Sequence, residues 1–196
     1  MRTKENEFRP LFIKMNSANH NERIRITQHD QLTIASWFAI KAIVQEYAHG
    51  ERPISHHTQR ARLRTRGLPS LSNWRIWIGT YEGHSPDTLW NSFPFQIASP
   101  EMLRRRKTAK VTYNNSQVVS YVIGKVFVVL MRSPLKLLVR RWDYPAVGGS
   151  LYQIWPPSGY SFLWPLTPLL NAQAETAVGG VRAYLVKIAR REALRQ

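Results

Sequence analysis

Residues 31–49 constrain this chain more than any other stretch, because apolar side chains recur there at helical spacing around most of the circumference. Leu32, Ala35, Ala39, Ile43 and Tyr47 share one face, and Ile34, Phe38 and Ala42 widen it. A helix apolar over so much of its surface belongs in the core, so the rest of the fold has to be built around it. Thr27 marks its start: the hydroxyl suits the free N–H groups of a first turn, and Asp30, followed by Gln31, sits near the positive end of the helix dipole. Gly50 suits the position just past its end, and Pro53 forbids simple continuation.

A second, shorter helix is expected over residues 55–66, with Ser55 as its cap and Gly67 as its end. Its charge is one-sided: Arg60, Arg62, Arg64 and Arg66 have only Glu51 nearby, and Arg60 and Arg64 form a like-charged pair one turn apart. From Trp74 the period changes to two. Trp74, Ile76 and Ile78 alternate with Arg75, Trp77 and Gly79, which predicts a strand. Residues 81–83 and 85–87 are turn material. Residues 111–113, a turn at Asn114-Asn115 and the long apolar run 117–131 predict a β-hairpin with a well-buried second strand. A weaker strand over residues 151–155 stops at Pro156-Pro157. After Gly179-Gly180 the pattern returns to helix, with Val181, Leu185 and Ile188 on one side and Arg182, Lys187, Arg190, Arg191 and Arg195 on the rest. The expected fold is α+β: a buried N-terminal helix packed on a mostly antiparallel sheet, with a basic C-terminal helix. Residues 1–196 are expected to form a single basic domain, long enough to bury a core without staples.

Charge narrows the choice of partner. Lys and Arg number 28 against 12 acids, a net charge of +16. Such a field draws nucleic acid, anionic lipid or an acidic protein. Three clusters carry it: Arg60/Arg62/Arg64/Arg66, then Arg104/Arg105/Arg106/Lys107, then the C-terminal set. Arginine dominates, and its planar fork grips phosphate oxygens in a bidentate manner. Two tryptophans have a basic setting suited to stacking on bases: Trp77 beside Arg75, and Trp142 beside Arg140 and Arg141. Trp37 and Trp74 are expected in the core. Nucleic acid, DNA before RNA, is the expected partner, with an acidic protein as the alternative.

The chemistry of known catalytic sites has no counterpart here. Cysteine is absent, which excludes disulfides, thiol catalysis and every Cys-based zinc site. None of the six histidines has a metal-site spacing, so they are expected on loops and helix ends. The acids are spread too thinly for two-metal chemistry, and neither a Gly-rich phosphate loop nor a G-x-S-x-G elbow occurs. No catalytic residue, metal or cofactor is therefore expected. The longest apolar stretch, residues 118–131, is broken by Ser120, Gly124 and Lys125 and is too short for a bilayer. The first residues lack the apolar core of a secretory leader. A cytoplasmic protein without membrane insertion is expected.

Several landmarks follow one another in a recognisable order. They are Glu7-Phe8-Arg9-Pro10-Leu11 as the tail of an early helix, the helix holding Leu32-Thr33-Ile34-Ala35-Ser36-Trp37-Phe38-Ala39-Ile40-Lys41, then Trp77-Ile78-Gly79 with Tyr81, Ile154-Trp155-Pro156-Pro157 and Trp164-Pro165. This order, over most of the chain, resembles the C-terminal region of bacterial HNH-endonuclease-like proteins. In that group these elements follow a nuclease module with zinc-binding Cys pairs and a His-based motif, which has no counterpart in this sequence. The resemblance therefore carries over no catalytic residue. It implies either a stand-alone relative that keeps a DNA-binding or scaffold domain, or a product of a longer gene. A basic domain of this size also fits a phage- or mobile-element-encoded inhibitor that docks on a nucleic-acid-handling protein.

Overall fold

The computed structural model describes residues 2–48, 54, 57–83, 88–95, 116–133 and 150–180. The first helix, α1 (Arg2–Ser17), contains Pro10 and runs well past residues 7–11, which sit in its middle and not at its tail. Phe8, Leu11, Phe12 and Met15 fall at helical spacing on its inner side. After the short strand β1 (Ile24–Ile26) comes α2 (Gln28–Ala48), the expected core helix. Its cap is reciprocal. Thr27 Oγ1 accepts from the Asp30 N–H at 3.2 Å, while the Asp30 carboxylate accepts from the Thr27 N–H at 2.8 Å and from its hydroxyl at 2.6 Å. α1 and α2 meet through aromatic rings: Phe8 stacks on Trp37 at 4.3 Å and meets Phe38 edge-on at 5.8 Å.

The arginine-rich helix α3 (His57–Arg66) follows. Gly67 ends it as expected: its φ is +64°, and its N–H donates to the Leu63 carbonyl at 2.9 Å.

Five antiparallel strands then build the main sheet: β2 (Trp74–Thr80), β3 (Thr88–Phe95), β4 (Ser116–Ile123), β5 (Val126–Arg132) and β6 (Leu151–Trp155), in the order β3-β4-β5-β2-β6. A last short strand, β7 (Phe162–Trp164), pairs with β1 as a separate two-stranded sheet. Residues 171–180 are helical.

Both faces of the main sheet are covered. Trp74, Ile76 and Ile78 of β2, with Val119, Val128 and Leu130, pack against α1, α2 and Leu63 of α3. Trp77, Val118, Val122, Val129 and Met131 face the other way, against Leu169, Ala174 and Ala177. A bulge opposite Ile76 and Trp77 breaks the alternation of β6, so that the consecutive residues Ile154 and Trp155 both join the first core.

This two-sided burial corrects one expectation. The run 117–131 is not a single strand but β4 and β5, folded back at Gly124-Lys125, where Gly124 takes a φ of +57°. A strand buried on both faces has no polar alternation to mark where it turns. The helix after residue 170 also begins earlier than the sequence suggests and runs through Gly179 and Gly180. Strands β1, β3 and β7 are additions to the elements expected from the sequence. Gly50, Pro53, Ser55, residues 85–87, the strand at 111–113, the turn at Asn114-Asn115 and the basic C-terminal helix beyond residue 180 lie outside the described residues.

Three hydrogen bonds from side chains tie the end of α1 to distant parts of the chain. Asn16 Oδ1 accepts from the Lys125 N–H at 2.7 Å, Lys125 Nζ donates to the Ala18 carbonyl at 3.0 Å, and Trp164 Nε1 donates to the Met15 carbonyl at 2.9 Å. Among the described residues, no helix is long and apolar enough to cross a membrane.

Candidate nucleic-acid interface

α3 is the most cationic element described. Its side chains divide between two faces because residues four apart share a face and residues two apart do not. Leu63, its one buried residue, anchors it on the core. Arg62 and Arg66 look into a polar hollow of about 400 Å³ that Thr58, Gln59, Ser70 and Asn73 complete. Arg60 and Arg64 lie along a second groove, beside α2, and Arg66 at the end of the helix borders both cavities.

The far wall of the hollow is the loop before β2. It is braced from within: the Ser72 hydroxyl donates to Asn73 Oδ1 at 2.7 Å, and Asn73 Nδ2 donates to the Ser133 carbonyl at 3.1 Å. On the helix side, Arg62 Nε is buried without a hydrogen-bond acceptor. Among the described residues no carboxylate lines this hollow. A concavity that offers guanidinium donors, hydroxyls and no competing anion is chemically matched to an oxyanion such as a phosphodiester.

Beneath α3 lies a second arginine that the sequence pattern does not single out. Arg132, at the end of β5, has its Nη1 2.9 Å from Glu46 Oε1 of α2, with side-chain exposures of 1% and 2%. The distance is that of an ion pair, and Arg132 Nη2 has no hydrogen-bond partner. The guanidinium also sits 5.5 Å from the Trp74 ring centre. Burial brings the Arg132 guanidinium down to about 10; Glu46 opposes the shift and the charge of Arg60 adds to it. The Tyr121 hydroxyl is pushed up, by burial first and by Glu46 second, and it donates to Gln45 Oε1 at 2.5 Å. The cationic field of α3 thus reaches into the core, and Glu46 is the carboxylate beneath it.

The remaining candidates are not gathered at this place. By strand alternation Arg75 stands on the Trp77 side of the sheet, away from α3, and its Nη1 donates to the Leu71 and Trp74 carbonyls at 3.3 Å each. Trp77 itself is only 3% exposed, within the second core, so it is not open to a base, contrary to the expectation drawn from its basic neighbour. Trp37 and Trp74 pack in or against the first core, as the sequence suggests. Arg104, Arg105, Arg106, Lys107, Arg140, Arg141 and Trp142 lie outside the described residues.

His20, His29 and His57 are exposed, on a loop and in first helical turns, and among the described residues no group of three His, Cys, Asp or Glu side chains stands together to hold a metal. Ser70 and Asn73 escape a reading of the sequence; their only signal is a polar loop directly before a strand. No family model, no curated protein and no solved structure matches this chain, so the interface rests on its own residues.

Proposed function

We propose that the protein binds nucleic acid, duplex DNA before RNA, by gripping the phosphate backbone rather than by reading bases, and that it does so without chemistry of its own. The observation that carries this proposal is the pair Arg62 and Arg66 beside Ser70 and Asn73, in a hollow that no carboxylate among the described residues lines, on a chain of net charge +16. Phosphate binding of this kind releases condensed counterions, which makes affinity large and salt-dependent but indifferent to sequence. The clusters at 104–107 and at Arg140 and Arg141 add to the same positive charge. Kinship with the C-terminal region of HNH-endonuclease-like proteins belongs to it too. A reading frame continuing upstream into a Cys/His module would support that kinship.

The test is a titration of duplex DNA across salt. With about 4–6 phosphates neutralised, log K falls linearly against log salt with a slope of about −4 to −5. Replacing Arg62 and Arg66 together by Ala lowers the magnitude of that slope by about one unit for each phosphate that the variant no longer neutralises. A flat salt response refutes the proposal.

A further inference from the structure

The second face of α3 points to a different kind of ligand. Between α2 and α3, with α1 closing one end, runs a groove of about 640 Å³. Its floor is Ile40, Ile43 and Val44 of α2 with Leu63 of α3, and its rim carries Lys4, Arg64 and Arg66. Val44 is 42% exposed and Tyr47, one turn further along α2, is 53% exposed. Ile40, Val44 and Tyr47 are spaced as i, i+4 and i+7, a stripe about 10 Å long at 1.5 Å per residue. The Arg60 guanidinium lies over the Tyr47 ring, 5.6 Å from its centre, and continues the cationic rim. Among the described residues no carboxylate lines the groove, and Lys4 of its rim meets Glu7 at 2.6 Å.

A phosphodiester backbone has nothing with which to cover an aliphatic floor. An incoming helix does: two turns of it match the stripe, and apolar anchors at i, i+4 and i+7 are the standard way in which a helix fills a groove. The arginines of the rim select the charge of its outer positions, since like charges across the interface are penalised. The volume lies within the roughly 300–1,000 Å³ typical of built binding sites.

We infer that the groove between α2 and α3 is a docking site for an acidic amphipathic helix of a partner protein, distinct from the hollow proposed for phosphate. One cationic helix would then serve two ligands, an oxyanion on its Arg62 face and an acidic helix on its Arg60/Arg64 face, with Arg66 between them.

The experiment uses the full chain and a fluorescein-labelled synthetic peptide about five helical turns long, with Leu at i, i+4 and i+7 and Glu at most other positions. A second peptide has the same composition in scrambled order. Anisotropy titrations at physiological salt should give saturable binding of the patterned peptide and at least about tenfold weaker binding of the scrambled one, about 1.4 kcal/mol. Val44→Glu and Arg64→Glu should each weaken the patterned peptide by at least about tenfold, while Val44→Glu leaves the affinity for a short duplex DNA within about twofold. Both positions are exposed, so melting temperatures should stay near that of the parent; if one variant unfolds, the other decides. The inference is overturned if the patterned peptide does not saturate or if the scrambled peptide binds equally well, which would make charge alone sufficient. It is also overturned if Val44→Glu has no effect on the peptide, or if it weakens duplex DNA in parallel, which would make the groove part of the DNA surface. Weaker salt-dependent DNA binding on Arg62→Ala, with peptide binding intact, tests the other proposal separately, because Arg62 borders the hollow and not the groove.

Discussion

Glu46 and Arg132 offer the sharpest energetic test of this fold. Their charged groups are 2.9 Å apart at the closest atoms and almost wholly removed from water. At an effective dielectric of about 20, unit charges about 4 Å apart attract by roughly 4 kcal/mol. That attraction is set against the desolvation of both groups, and Arg132 Nη2 remains without a hydrogen-bond partner. The pair as a whole therefore stabilises little, but each half protects the other. Glu46→Leu leaves a guanidinium buried beside an arginine helix, and Arg132→Met leaves a carboxylate buried; either should cost about 3–5 kcal/mol. At roughly 2–4 °C per kcal/mol for a chain of this length, the melting temperature should fall by about 10 °C in each single variant. The double variant, with two apolar side chains of similar bulk over Trp74, should recover most of that loss or exceed the parent. Thermal and urea unfolding of the four proteins gives the coupling energy directly. The reasoning fails if either single variant melts within about 2 °C of the parent, or if the double variant is no better than the worse single one.

Three further outcomes follow from the same structure. Thr27→Ala removes the hydroxyl of a reciprocal cap and should cost about 1 kcal/mol in urea unfolding; no change in midpoint would show that the cap is not formed in solution. Trp77→Ala should cost about 3–5 kcal/mol in stability and leave duplex DNA affinity unchanged at a temperature where the variant is folded, whereas weaker binding there would restore this indole as a base-stacking residue. Tyr121 is held protonated by burial and by Glu46, so its contribution to stability is complete below about pH 10 and declines as pH rises above that value. Native Tyr121→Phe should accordingly show the same tyrosinate absorbance near pH 10 as the parent, and a drop of one tyrosine's amplitude would contradict the burial.

What the sequence discloses depends on whether a single rule governs each segment. The start of α2 is legible because Thr27 and Asp30 combine chemically at a fixed spacing, and its burial because the apolar residues go round the helix. β6 is legible because Pro156 cannot continue it, and the end of α3 because only Gly67 accepts a positive φ there at no cost. The turn at Gly124-Lys125 is hidden by strands that are apolar on both faces. β3 is hidden by Asn91 and Ser92 in its middle and by Pro94, a residue tolerated because β3 lies at the margin of the described sheet. β1 and β7, at three residues each, are too short to show a period.

The candidate site follows the same division. Four arginines on one helix can be counted in the sequence, but their sorting into two faces depends on what stands opposite. Ser70 and Asn73 on one side and Ile40 and Val44 on the other reach α3 only through tertiary packing. The pairing of Glu46 with Arg132 depends on the sheet register that brings the end of β5 beneath α2.

The ties at the end of α1 have a consequence for the order in which the protein can be completed during its synthesis. The Met15 carbonyl waits for the indole of Trp164, 149 residues later in the chain. At roughly 5–20 residues per second, the ribosome needs on the order of 7–30 seconds to deliver that partner. After α1 leaves the exit tunnel, the Met15 carbonyl remains without the indole that will bond it until Trp164 follows. The nascent chain therefore spends much of its translation time with the end of its first helix not yet secured by this last tie.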